Sequence, residues 1–291
     1  MTKHPKLTVD DLRLFLRRFN NQTIEPITII GGQAVGLWAD ILGVSPAGRL
    51  TTKDIDLIAP RDTAIECAKA WQVGLSLPTE ARSPDFAYMT IPAKIAGSEN
   101  DIRVDFLKGV HGLGPSEAAR SRIDLHDPNT GLVLHVLHPV ACVISRLMNF
   151  YDLPERNLPD TRDDELEKLR VAITSCRIYL ERRVSDLRAG KLSSARPVLN
   201  SAERLFDVAR TDQACRAWFE EQIDVFSAFP SPQQASDVLP AAFIIRRYPQ
   251  MKDLIDRERQ TYAKMEQARR SVASAGSDVA SKPKPDNCEP R

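Results

Sequence analysis

No apolar run in this chain reaches the length of a membrane span, because Asp40 interrupts the longest candidate. A membrane-spanning helix is therefore not expected. Net charge is nearly absent: 40 Lys and Arg stand against 39 Asp and Glu, leaving +1. Composition thus gives no general affinity for polyanions, although a local basic patch is not excluded by it. C-x-x-C pairs are absent too. The five cysteines (Cys67, Cys142, Cys176, Cys215, Cys288) are odd in number and widely spaced, which excludes the usual zinc and redox motifs and leaves reduced thiols as the expectation. The first twenty residues lack the apolar core and small-residue cleavage site of a signal peptide, so the expectation is a soluble, cytoplasmic protein. The chain has no internal repeat, no G-x-S-x-G, no Walker A and no kinase signature.

What is present is enough apolar material for one large or two ordinary domains: 42% of 291 residues are hydrophobic. Thr8 reads as the cap of a helix over 9–20, with Leu12, Phe15 and Phe19 on one face. A short buried strand, "ITII" at 27–30, is ended by Gly31 and Gly32, and Gln33 to Leu42 reads as a helix with a broad apolar face. "KDIDLIAP" at 53–60 alternates as a half-buried strand, with "RDTAIECAKAW" as the helix behind it. "DFAYMTIPA" at 85–93 and "DIRVDFLKGV" at 101–110 read as an antiparallel pair, and "GLVLHVLHP" at 131–139 as the last strand. From Pro139 the periodicity is helical. The expected organisation is an α/β (α+β) domain over 1–139, with a mixed sheet backed by helices, then a helical domain over 140–270 and a disordered tail over 271–291.

The chemistry concentrates around residues 31–56. Side chains two apart on a strand share a face, so Asp54 and Asp56 project together while Ile55 and Leu57 enter the core. Two such carboxylates repel each other unless a hard divalent cation, Mg2+ or Mn2+, lies between them. Asp105, in "IRVDFLKG" and on one face with Arg103, supplies a third carboxylate from a neighbouring strand and completes a two-metal pattern. Gly31 and Gly32 open a helix whose first N–H groups suit a phosphate. His135 and His138, at odd spacing, face opposite ways and read as structural histidines, and Cys142 reads as core. The basic stretches "RLFLRR" and "RQTYAKMEQARR" read as solvated helix faces.

In the order strand, Gly-Gly, helix, then Thr52-Lys53-Asp54-Ile55-Asp56-Leu57, the stretch resembles the DNA polymerase beta-type nucleotidyltransferase superfamily, and within it the AbiEii-like branch, whose members include toxins of toxin–antitoxin and abortive-infection systems. The likeness covers residues 25–185. It implies a nucleotidyltransferase-like fold and metal-dependent transfer of a nucleoside monophosphate from an NTP to a hydroxyl, with tRNA or a protein as acceptor and an antitoxin protein as partner. Asp54, Asp56 and Asp105 would be catalytic and ligate Mg2+ or Mn2+, while Gly31, Gly32, Thr52 and Arg146 would hold the triphosphate, with help from Lys53 or Arg49. Four features depart from the family pattern, the first being the twenty-one residues (33–53) that separate Gly32 from Asp54, more than the core superfamily pattern normally allows. Gln33 stands where serine is usual, Arg146 where lysine is usual, and only Thr161-Arg162-Asp163-Asp164 remains of a later Arg-x-Lys-Asp element. Two other classes remain open: a catalytically silent module on the same fold, and a small-molecule, antibiotic-type transferase.

Overall fold

The computed structural model describes residues 7–44, 50–78, 85–92, 101–156 and 158–280, so Arg49, Cys288 and the tail beyond Ala280 lie outside the described residues. Helix α1 (Val9–Leu16) begins at Thr8 with a capping box shared with Asp11. It stops short of residue 20, although Phe19 is still buried with Leu12 and Phe15. A single helical turn, α2 (Asn21–Ile24), leads into β1 (Thr28–Ile29), and α3 (Gly31–Leu42) starts at the first glycine rather than after the second. Strand β2 (Asp54–Ile58) and α4 (Arg61–Ala70) follow.

The pair β4 (Asp85–Ile91) and β5 (Ile102–Leu107) is antiparallel, with a register irregularity near Asp85. Four helices and strands have no counterpart in the sequence reading: α2, β3 (Leu75–Ser76), α5 (Pro115–Arg120) and β6 (Arg122–His126). Strand β6 is an edge strand whose residues are all exposed or half-buried, so it carries no apolar face to announce it. With β7 (Val133–Leu137), the described strands form one seven-stranded mixed sheet in the order β3-β4-β5-β2-β1-β7-β6. Strand β1 runs antiparallel to β2 and parallel to β7, and β2 runs parallel to β5.

The strands end at Leu137 and α6 (Pro139–Asp152) begins at once, capped by His138. The helical part continues through α7 (Arg162–Arg188), α8 (Arg196–Ala209) and α9 (Asp212–Glu221). The latter two divide a stretch whose periodicity reads as continuous, because Thr211 turns its side chain to cap α9. A π-helical turn (Phe243–Arg247) precedes α10 (Tyr248–Ala280), which carries regular helix past residue 270. One apolar core runs through both parts, from Leu7 to Ile255. The fold is thus α+β, followed by a helical region packed on α3 through α6 and α7. Among the described residues no helix is long and apolar enough to cross a membrane.

Candidate functional site

Strand β2 is anchored on both sides by the core residues Ile55 and Leu57, which are fully buried. The alternation therefore turns Asp54 and Asp56 to the opposite face. The parallel register with β5 sets Asp56 beside Asp105 and Asp54 beside Arg103. One oxygen from each of Asp54, Asp56 and Asp105 lies within 4.8 Å of the others, a grouping that can hold a metal ion. Among the described residues the side chains of Asp54 and Asp56 make no ion pair. Asp105 does: Arg103 Nε donates to its Oδ1 at 2.6 Å, while Nη2 reaches Asp85 at 2.9 Å and the guanidinium covers the Tyr88 ring at 4.1 Å. The third carboxylate is thus partly neutralised by the chain itself.

The electrostatics follow from this crowding. Burial, and next the neighbouring charge of Asp54, pushes the Asp56 carboxyl up to about 7. Burial likewise lifts Asp105 to about 6, against the pull of Arg103. Anionic forms disfavoured in this way are what a bound cation would stabilise. The donors are carboxylate oxygens only, without histidine or cysteine, which suits a hard cation.

The two glycines answer to this geometry. Gly31 has φ +65°, and a Cβ there would meet the Asp56 carboxylate at 2.1 Å, while a Cβ on Gly32 would meet the Thr52 methyl at 2.2 Å. Both side chains of the Thr-x-Asp-x-Asp strand therefore lie directly against the start of α3. Ile30 at the N-cap offers no side-chain acceptor to the first-turn N–H groups. The Thr52 hydroxyl donates to the Asp54 carbonyl at 2.8 Å and accepts from Gln33 Nε2 at 3.0 Å, and the Thr52 backbone pairs with Leu7. Gln33 thereby holds the Thr52 hydroxyl in position.

A cavity of about 30 Å³ is lined by Gly32, Thr52 and Asp56 together with Arg146, Glu165 and Lys168. Arg146, on α6, is buried and pairs with Glu165 of α7 at 3.5 Å. Lys53 is exposed at the rim of the same cavity. The sequence reading stopped at Asp164 and missed Arg156, Glu165 and Lys168. The available signal was the i, i+3 pairing of Glu165 with Lys168 in a segment otherwise read only for helical period. Within 161–164, Asp164 pairs with Lys168 at 2.6 Å and Arg162 with Glu221. A much larger cleft between α7 and α10, lined by Glu181, Phe226 and Tyr248 among others, shares no residue with the carboxylates and holds none of the candidate chemistry.

The remaining candidates are structural. His135 Nδ1 lies 2.6 Å from Asp124 on the adjacent strand. His138 Nδ1 accepts from the Val140 N–H at 3.1 Å, and burial, reinforced by Arg204 and Arg183, brings its pKa down to about 3 and keeps it neutral. Cys67, Cys142, Cys176 and Cys215 are buried free thiols. No family model, curated protein or solved structure matches the chain.

Proposed function

We propose that the chain is a metal-dependent nucleotidyltransferase of the AbiEii-like kind, transferring an NMP from an NTP to a hydroxyl. The observation that carries the reading is the convergence of Asp54, Asp56 and Asp105 at the glycine-opened start of α3, with buried cations on α6 and α7 facing them. Asp54 and Asp56 would hold Mg2+ or Mn2+, with Asp105 as the third ligand. Bound there, such ions would supply charge neutralisation and Lewis acidity to the phosphate chain. The chain's own contribution is position and proton handling. Gly31 and Gly32 keep the α3 N–H groups open to phosphate oxygens, Arg146 pairs with the phosphate chain, and Thr52 fixes the strand that presents the carboxylates, with Lys53 at the entrance. The acceptor hydroxyl attacks the α-phosphorus, pyrophosphate leaves, and the hydroxyl proton passes to Asp105. The acceptor class implied by the resemblance is tRNA or protein, and the partner an antitoxin protein.

The narrowness of the cavity and the Arg146–Glu165 pair favour one second reading, a silent module on the same fold. Labelled NTPs incubated with Mn2+, total tRNA and either wild type or Asp56→Asn separate the two. Label transfer that requires Asp56 supports the enzyme; metal binding by wild type without any transfer to RNA, protein or small acceptors supports the silent module.

A further inference from the structure

Glu165 is the meeting point of three cations. Lys168 Nζ lies 2.9 Å from its Oε1, Arg156 Nη1 lies 3.4 Å from the same oxygen, and Arg146 Nη1 lies 3.5 Å from Oε2. Glu165 is 4% exposed, and Lys168 and Arg146 are each 6% exposed. Burial alone would raise the Glu165 carboxyl, but the charges of Arg146, Lys168 and Arg156 outweigh it and hold it below its ordinary range. A carboxylate has only two oxygens to share among these three cations, of which Lys168 has a second carboxylate partner, Asp164 at 2.6 Å, and among the described residues Arg146 and Arg156 have none. Each guanidinium carries five N–H donors and, among the described residues, spends one on Glu165. Arg146 and Arg156 both line the cavity of about 30 Å³, a volume that holds a water. Asp54 and Asp56 line the same cavity.

We infer that Arg146, Arg156 and Lys168 form the seat of a polyphosphate chain, and that Glu165 fills this seat as the protein's own anion, to be displaced when a phosphate chain enters. A phosphate chain presents several charged oxygens where the carboxylate presents two, so it satisfies N–H groups that Glu165 leaves over. The inference rests on the nucleotidyltransferase reading for the identity of the phosphate donor, yet it makes a separate claim: entry to the site is opposed from within, and Glu165 is the opposing group.

The probe is inorganic tripolyphosphate in EDTA, with neither nucleotide nor metal, so that the result does not depend on transfer. Calorimetric titration should show Glu165→Gln binding tripolyphosphate at least about tenfold more tightly than wild type, because the internal competitor has lost its charge. Lys168→Met and Arg156→Ala, made with Glu165 intact, should each weaken binding about tenfold. Glu165→Gln leaves buried cations uncompensated and should melt lower than wild type in plain buffer, with tripolyphosphate restoring more of its melting temperature than it adds to wild type. Equal or weaker binding by Glu165→Gln would show that Glu165 only complements the helix end and orients the cations, and the inference falls. Should that variant not fold in either buffer, unchanged tripolyphosphate affinity in Lys168→Met and Arg156→Ala overturns it equally. Tripolyphosphate binding that behaves as stated, without NTP transfer by wild type, removes the enzyme reading and leaves the seat. Transfer that is intact with an unaltered Glu165→Gln affinity does the reverse.

Discussion

The Asp56 carboxylate occupies the space that a Cβ on residue 31 would take, at 2.1 Å, and Gly31 holds φ at +65°. Backbone freedom and close approach are thus both required at one position, and the requirement comes from the candidate metal ligand itself. Gly31→Ala should lower stability by about 2–4 kcal/mol, part from the left-handed backbone and part from the displaced carboxylate. Urea unfolding measures the loss, and Mn2+ titration should show weakened binding. Gly43→Ala shares the positive φ but has nothing within 4 Å of its Cβ, and should lose only about 1 kcal/mol.

Asp56 titrates near 7, against about 4 for an ordinary carboxylate. The protonated form is therefore favoured by folding. Its stabilising contribution is complete below about pH 4 and is lost as pH rises through 7. In EDTA, Asp56→Asn should be more stable than wild type by about 1–3 kcal/mol at pH 8, with the difference shrinking steadily toward pH 5. Asp56 is half-buried, so the lower part of that range is expected. Differential scanning calorimetry of both proteins across the window decides it; a variant less stable than wild type at pH 8 would mean that Asp56 has a partner that supports the fold.

Arg103 competes with any cation for Asp105, through the 2.6 Å contact. Arg103→Gln should therefore tighten Mn2+ binding several-fold at pH 8, above the value of about 6 to which burial lifts Asp105 in the wild type. Paramagnetic relaxation of solvent water reports the affinity. Weaker binding would instead assign Arg103 the role of holding Asp105 in place.

Arg13 ties the first helix to the rest of the sheet. It reaches the fully buried Asp127 at 2.9 Å, Asp40 of α3 at 2.6 Å and Asp10 at 3.1 Å. Burial would raise the Asp127 carboxyl, but the Arg13 and Thr130 contacts hold it below its usual range. Arg13→Met strands Asp127 as an unpaired buried charge and should reduce stability by about 3–5 kcal/mol in chemical denaturation, more than Arg188→Met, whose partner Asp237 lies in the open.

Several elements were legible because their signals are local. The Thr8 cap, the alternation of Asp54 to Leu57 and the antiparallel pairing of β4 with β5 all depend on neighbours in the chain or on a short connection. Strand β6 was not legible, since an edge strand without a buried face leaves no alternation to read. The break between α8 and α9 escaped for the opposite reason: apolar period continues through it while the Thr211 cap ends it. At the site, the three aspartates could be named from sequence, but Glu165 and Lys168 sit on a helix face whose charge looks ordinary until α6 and β2 are packed against it.

By itself the sequence determined that Asp54 and Asp56 share a face, that two glycines precede them at a strand-to-helix junction, and that a helical part follows Pro139, because side-chain period and glycine conformation are properties of the local backbone. Only the tertiary structure decided that β5 lies parallel to β2 with Asp105 level with Asp56, that Arg103 takes one of its oxygens, and that Glu165 stands among three cations, two of them buried. Strand neighbours and buried ion pairs are chosen by which apolar faces the whole core can bury together. That choice is made between segments far apart in the chain, where no local pattern records it.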